Sequence, residues 1–532
     1  MWVLLFGIFA STAAAAQVDP SICDGKTDAR AALQEILTRT AGKTVVLPDG
    51  AVCVITPVVD KSKFLILPAG TVLRGRATLK VANGSAPYNS VVYSTNCNGC
   101  QIAEITIDAN VANNPIADVA EIYAHARSEF VWFGDDISFR GITIMNSSSI
   151  NSIVGTGSRI TVEDSTFKAI GDDPNHIAHD HSTLYLTGSQ ILVRGNHFTT
   201  TGRDSPAGVT AIETHATVQS IIGNTIANFT NGINLTGVSS EDSEAGVVSG
   251  NSIKGVLYCV TLWSRAYRAH TSGYGINGVV VTGNSCRVNQ LSYTRLPGAS
   301  STSGIVVEPG ATLPIANLII SNYVVVFDLE MASRPGNTSS IGLGWWSASN
   351  QTATNVSIEN NIVDNAPVAG IRMAVGSAAG LEIRGNTIRN AGSSLDASVN
   401  AGYKAPILVL STIGAVQADI QGNTIIDDMA ASRMVHAMTL GGAANAAHHV
   451  RVLDNSIHLL GTNAASFRSY VAILDNDLKP LVRLIATDHA WNAAVYTHRM
   501  AAGSEVVDAT TGTHYDLQSD GITWTKARAT AN

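Results

Sequence analysis

The sequence predicts an all-β chain folded as a single-stranded right-handed parallel β-helix, a solenoid with a capping helix at its N-terminal end. Three observations carry this expectation. A short phrase centred on asparagine returns nine times between residues 196 and 455. The segments around it are short, β-branched and alternating, are bounded by Gly or Asn, and lack a helical period. An amphipathic helical pattern precedes the first of these strands.

In chain order, the opening "MWVLLFGIFASTAAAAQVD" has a short apolar core, Trp2 to Phe9, followed by small residues ending at Ala16. This has the form of a secretory signal spanning 1–16 with cleavage before Gln17, although its first residues lack Lys and Arg. The apolar run is too short to span a bilayer, and no later segment is longer, so the mature chain is expected to be exported, soluble and free of membrane. Residues 24–55, "DGKTDARAALQEILTRTAGKTVVLPDGAVCVI", read as one helix, a turn and two strands. Ala32, Leu33, Ile36 and Leu37 form its apolar stripe, suited to covering the open strand edges at the end of a coil.

The repeat itself reads "VRGNHF" at Asn196, "IIGNTI" at Asn224, "VSGNSI" at Asn251 and "VTGNSC" at Asn284. It continues as "ISNYV" at Asn322, "ENNIV" at Asn361, "RGNTI" at Asn386, "QGNTI" at Asn423 and "LDNSI" at Asn455. The intervals of 25 to 39 residues lie in the solenoid range. Between these phrases recurs a second strand, as in "NGINLTG", "SGIVVEPG" and "AGIRMAV". A rung of two or three strands stacked on its predecessor is a parallel β-helix, whose corners suit the left-handed conformation of Gly and Asn. Asparagine side chains can also ladder from rung to rung. The domains expected are therefore a signal at 1–16, a capped β-helix over 17–463, and a C-terminal β cap or oligomerisation segment at 464–532, where the repeat fades.

The N-terminal stretch resembles the opening of the pectate-lyase-like and phage-tailspike-like β-helix superfamily. The resemblance rests on Asp24-Gly25, the Ala/Leu-rich helix and Leu47-Pro48-Asp49-Gly50. It implies carbohydrate chemistry along a groove beside one sheet, with a polysaccharide as partner and a monomer or homotrimer as the assembly.

Only 14% of residues are charged and the net charge is −8, which argues against a nucleic-acid binder. Six cysteines in an exported chain admit disulfides. Cys23 and Cys53 flank one predicted unit and could close it. Cys259 and Cys286 lie in neighbouring repeats, where they pair or simply pack. Cys97 and Cys100 have metal-like spacing but no second pair downstream, so a zinc site is not expected.

The candidate site follows from strand parity. Taking Leu184, Leu186, Ile233, Leu235, Val260, Leu262, Ile305 and Val307 as inward leaves Tyr185, Asn234, Thr236, Thr261, Trp263, Arg265 and Glu308 outward. For "GVTAIETHA" the register with Ile212 inward is chosen, because an unpaired Glu inside a coil carries a heavy desolvation cost. Glu213 and His215 then face out beside Tyr185. Just upstream, "GDDPNHIAHDHS" gathers Asp172, Asp173, His176, His179, Asp180 and His181, read as a catalytic or substrate-binding loop, a metal site or a solvated loop. Gly171-Asp172-Asp173 resembles the paired aspartates of polygalacturonase-type hydrolases, without their Arg-x-Lys partner motif. His179-Asp180-His181 is similar to the Asp-Pro-His-Asp motif of alginate epimerases. "WSRAYRAHTSGYG" adds stacking and cationic groups in Trp263, Arg265, Tyr267, Arg268 and His270, and Trp346 would extend the groove while Trp345 points inward or wedges.

Two mechanisms fit. In β-elimination on a uronate chain, His215, Tyr185 and Arg265 supply base and charge neutralisation. In hydrolysis, Glu213 works with Asp173 or Asp180; Glu308, three rungs and about 14 Å from Glu213, is too far away. His and Arg abundance favours elimination on an acidic polysaccharide. A uronate epimerase would use nearly the same parts, and a non-catalytic glycan binder or adhesin is the rival outside enzymes. No cofactor is required, though a divalent cation such as calcium is compatible with the His/Asp cluster.

Overall fold

The computed structural model describes residues 15–58, 63–171, 173–175, 177, 180–200, 209–236, 245–263, 275–288, 301–308, 314–328, 340–345, 350–394, 398–400, 403–429, 434–459, 469–474, 478, 480–487, 500–501, 504–508, 513–517 and 524–526. They belong to two compact units, Met1–Asn175 and His176–Asn532, a division inside the segment 17–463 that the sequence reading treats as one body. Both units are built of parallel strands stacked rung on rung, the architecture of the right-handed parallel β-helix expected from sequence; the second unit ends in the antiparallel strands Glu505–Asp508, Thr513–Leu517 and Trp524–Lys526.

In the first unit, Val45, Leu73, Ile102, Phe139 and Val162 stack in register as one buried column. Cys53, Leu79, Ile107, Ile144 and Phe167 form a second. A helix covers Arg30–Arg39 and buries Leu33, Ile36 and Leu37. Gln34 of this helix receives the Ile66 N–H at 2.7 Å and donates to the Ile66 carbonyl at 3.1 Å. Its amide thus stands in for a neighbouring strand on the exposed edge of Lys63–Ile66 and pairs backbone groups that an edge strand leaves open. Cys23 and Cys53 are joined by a disulfide, as are Cys97 and Cys100, the pair whose spacing resembled a metal motif.

The second unit carries the asparagine phrase. Gly195, Gly223, Gly250 and Gly283 take positive φ at the corner, each followed by a buried asparagine. Asn196, Asn224, Asn251 and Asn284 form a ladder: each Oδ1 from Asn224 onward accepts both the backbone N–H and the Nδ2 of the preceding asparagine, at 2.8 to 3.0 Å. A second ladder links Asn361, Asn386, Asn423 and Asn455 in the same way. Between the two runs the sequence reading needs correcting. Asn322 takes the corner position with φ 51°, and the ladder position belongs to Tyr323, whose buried hydroxyl donates to Gly304 O at 3.3 Å. Asn can serve the corner or the ladder, so the letter alone does not fix the position. The Cys259–Cys286 disulfide also lies in this unit.

Inside the coil, Leu184, Ile212, Ile233, Val260, Ile305, Leu343, Ile371 and Ile407 stack in register, each with no exposed surface. This column fixes which way every neighbouring residue points.

Candidate functional site

Because Ile212 stacks between Leu184 and Ile233, alternation turns Glu213 and His215 to the opposite face, as expected. Register then fixes two outward lines. One runs Tyr185, Glu213, Asn234, Thr261, Val306, Gly344, Arg372. The other runs Thr187, His215, Thr236, Trp263, Glu308.

The sequence reading pictures an open polar floor; the structure shows a largely covered one. The side chains of His215 and Glu213 are 6% and 14% exposed, and Asn234, Thr236 and Thr261 are buried. Glu213 Oε1 lies 2.9 Å from His215 Nε2, and Glu213 Oε2 accepts the Ser182 hydroxyl. The Tyr185 ring packs at a tilt on the His215 ring, centroids 4.8 Å apart. A carboxylate that receives an imidazole N–H fixes the ring's orientation and favours the tautomer whose other nitrogen holds a lone pair. On the next rung the Oδ1 of Asn234 and the Oγ1 of Thr236 are buried and have no hydrogen-bond partner among the described residues.

The remaining expected residues distribute as follows. Trp263 is half-buried on the outward line beside Thr236. Trp345 is buried and donates its Nε1–H to Gln351 at 3.1 Å. His181 is buried with Nε2 3.2 Å from the Thr183 hydroxyl, and Asp180 is exposed. Asp173, in the first unit, is buried; its oxygens accept the backbone N–H groups of Ile116 at 2.8 Å and Asn175 at 2.7 Å. That is a loop-fixing duty. Arg265, Tyr267, Arg268, His270 and Trp346 lie outside the described residues, as do Asp172, His176 and His179 and the side chain of Glu308. Among the described residues no group of three or more His, Cys, Asp or Glu is placed to hold a metal ion.

Sequence reasoning passed over Ser182, Glu129 and Arg372. Glu129, in the first unit, is fully buried and takes hydrogen bonds from Ser147 at 2.8 Å and Ser149 at 3.3 Å. Burial pushes its carboxyl up to about 8 against the opposing effect of the serine hydroxyls. The run "NSSSINS" following a strand Glu was the available signal.

No family profile and no curated protein matches this chain. Solved structures do. The tailspike protein of E. coli bacteriophage HK620 in complex with pentasaccharide is similar, with TM-score 0.55 and 15% identity over 86% of this chain and 78% of the tailspike. A variant of that tailspike in complex with hexasaccharide gives TM-score 0.55 and 15% identity over 86% and 77%. A further variant with pentasaccharide gives 0.56 and 15% over 84% and 77%. At this identity the likeness establishes the shared fold.

Proposed function

We propose that this chain is an exported enzyme that degrades a polysaccharide by β-elimination at a uronate unit, with Glu213 and His215 at its centre. The observation that carries the reading is the Glu213–His215 hydrogen bond on an outward face of the coil. With Nε2–H given to Glu213, the Nδ1 lone pair of His215 removes the proton at C5 of the sugar. The C–H electrons form the C4–C5 double bond, the C4–O bond breaks, and the departing oxygen takes a proton from the Tyr185 phenol. The oligosaccharides bound by the HK620 tailspike, whose fold this chain shares, support a glycan as ligand.

Hydrolysis by Glu213 with Asp180 is the second reading, favoured by the exposure of Asp180. The Asp173 carboxylate of the first unit is already engaged by two backbone N–H groups. Incubation with uronate-containing polysaccharides separates the two. Elimination yields near-ultraviolet absorbance from an unsaturated uronyl end in step with new chain ends. Reducing ends without that absorbance would transfer the case to hydrolysis, and no cleavage of any chain would leave a glycan-binding protein.

A further inference from the structure

Arg372 lies on the same outward line as Glu213, five rungs along, about 24 Å at ordinary strand spacing. Its neighbours in the coil, Ile371 and Met373, are fully buried, so alternation turns the guanidinium outward. Even so, Arg372 is only 7% exposed. Buried charges in proteins are paired or hydrogen-bonded, because an uncompensated one carries a desolvation cost of several kcal/mol. Arg372 departs from that rule. Among the described residues it makes no ion pair and its buried Nε donates to nothing; the Tyr403 ring lies 5.7 Å from Cζ, and Gly344 and the buried Leu408 hold the same position on the two adjoining rungs. Burial pushes its pKa down, with only the Tyr403 phenol acting the other way. The adjoining rung carries Gly344 at this position. Its φ of 121° and a Cβ contact of 1.9 Å to the Arg372 carbonyl exclude any larger residue, so no side chain stands between Arg372 and that rung.

We propose that Arg372, backed by the Tyr403 ring, binds an oxyanion carried on a sugar unit of the glycan, a carboxylate or a sulfate ester. A guanidinium presents a planar donor fork matched to such groups, and an aromatic face behind it limits its freedom. This rests on the glycan reading above and adds to it a specificity-determining residue remote from the reacting bond. An interaction at that distance is the same in ground and transition states, so it appears in KM and leaves kcat unchanged.

The test uses the full chain with three probes: a glucuronate-containing oligosaccharide, its carboxyl-reduced counterpart, and a sulfated neutral oligosaccharide. Arg372→Gln should raise KM for the charged probe that the wild type prefers by roughly 10-fold to 100-fold, the range of a hydrogen bond to a charged group, at unchanged kcat. Arg372→Lys should recover part of the loss. The carboxyl-reduced and sulfated neutral probes carry no uronate to eliminate and are read as competitive inhibitors; the carboxyl-reduced one should inhibit wild type and Arg372→Gln equally. Arg372→Met keeps the packing without the charge and should melt no lower than wild type. Equal KM for wild type and Arg372→Gln on every charged probe overturns the anion site. If the wild type degrades only neutral chains, the anion site and the elimination mechanism fall, and only the reading as a polysaccharide-degrading protein stands. If it degrades none, yet free glucuronate or sulfate raises the melting temperature of wild type and not of Arg372→Gln, the anion site stands and the polysaccharide reading falls. No response of either kind sinks both.

Discussion

Two sets of buried polar side chains run through the same rungs of the second unit, and they differ in what they bond to. At the corner, Asn224, Asn251 and Asn284 repeat one residue in one geometry, and each amide is used. Asn251 accepts two bonds from Asn224, donates to Ile221 O at 2.9 Å and to Asn284 Oδ1 at 2.8 Å. On the outward face of the same rungs the residues change at every step, from Glu213 to Asn234 to Thr261, and acceptors and donors are left over. Polar groups that repeat and are fully bonded hold the coil. Polar groups that vary and are partly unbonded are what the coil holds out to something else.

The comparison breaks most visibly at the ladder. Asn251→Leu removes four hydrogen bonds and takes the side-chain partner from the Asn224 backbone N–H and the Ile221 carbonyl, while Asn224 Nδ2 keeps its bonds to Val193 O and Ile222 O. At about 1–3 kcal/mol for each buried group left unsatisfied, a loss of roughly 3 kcal/mol or more in unfolding free energy is expected. Denaturant melts measure it, and a loss below about 1 kcal/mol would mean that the ladder is not what holds the corner.

A smaller effect is expected from Glu129 in the first unit, a buried acid that resembles the ladder in being hydrogen-bonded and the outward face in being unrepeated. Its folded-state pKa is raised, to about 8, so the folded chain keeps a proton that the unfolded chain releases above its ordinary value of 4.5. Its contribution to stability is therefore fully present below about 4.5 and is lost as pH rises through about 8. Melting temperature followed across this window should fall more steeply for wild type than for Glu129→Gln. Identical slopes would show that Glu129 is ionised throughout.

The smallest effect sharpens the contrast. Thr236→Val replaces an unbonded buried hydroxyl by a methyl of the same shape. Stability should hold or rise by up to about 1 kcal/mol, while glycan affinity falls. An equally large destabilisation at Thr236 and at Asn251 would erase the distinction between the two sets.

Much of this was legible in sequence. The Gly-Asn phrase gave the rungs because left-handed corners restrict the residues allowed there. A single inward residue, Ile212, was enough to set the faces of Glu213 and His215, since strand parity propagates along the whole segment. What stayed hidden depends on neighbours that sequence does not align. Tyr323 replaces a ladder asparagine while Asn322, one place earlier, imitates it. In "AGIRMAV" Arg372 looks like any outward polar residue, and that its buried Nε has no partner among the described residues is visible only in three dimensions. The titratable cluster around Asp173 promised chemistry by density alone, yet Asp173 itself fastens two backbone N–H groups.

The most direct test of the central claim measures melting and turnover together on Glu213→Gln, which keeps the shape of the side chain and removes its charge. If the outward face is a reaction site, turnover should fall by on the order of 10²–10⁴-fold while the melting temperature stays within a few degrees of wild type. A variant that melts far below wild type, with activity reduced only in proportion to the folded fraction, would make Glu213 a structural residue like the asparagines behind it and contradict the account.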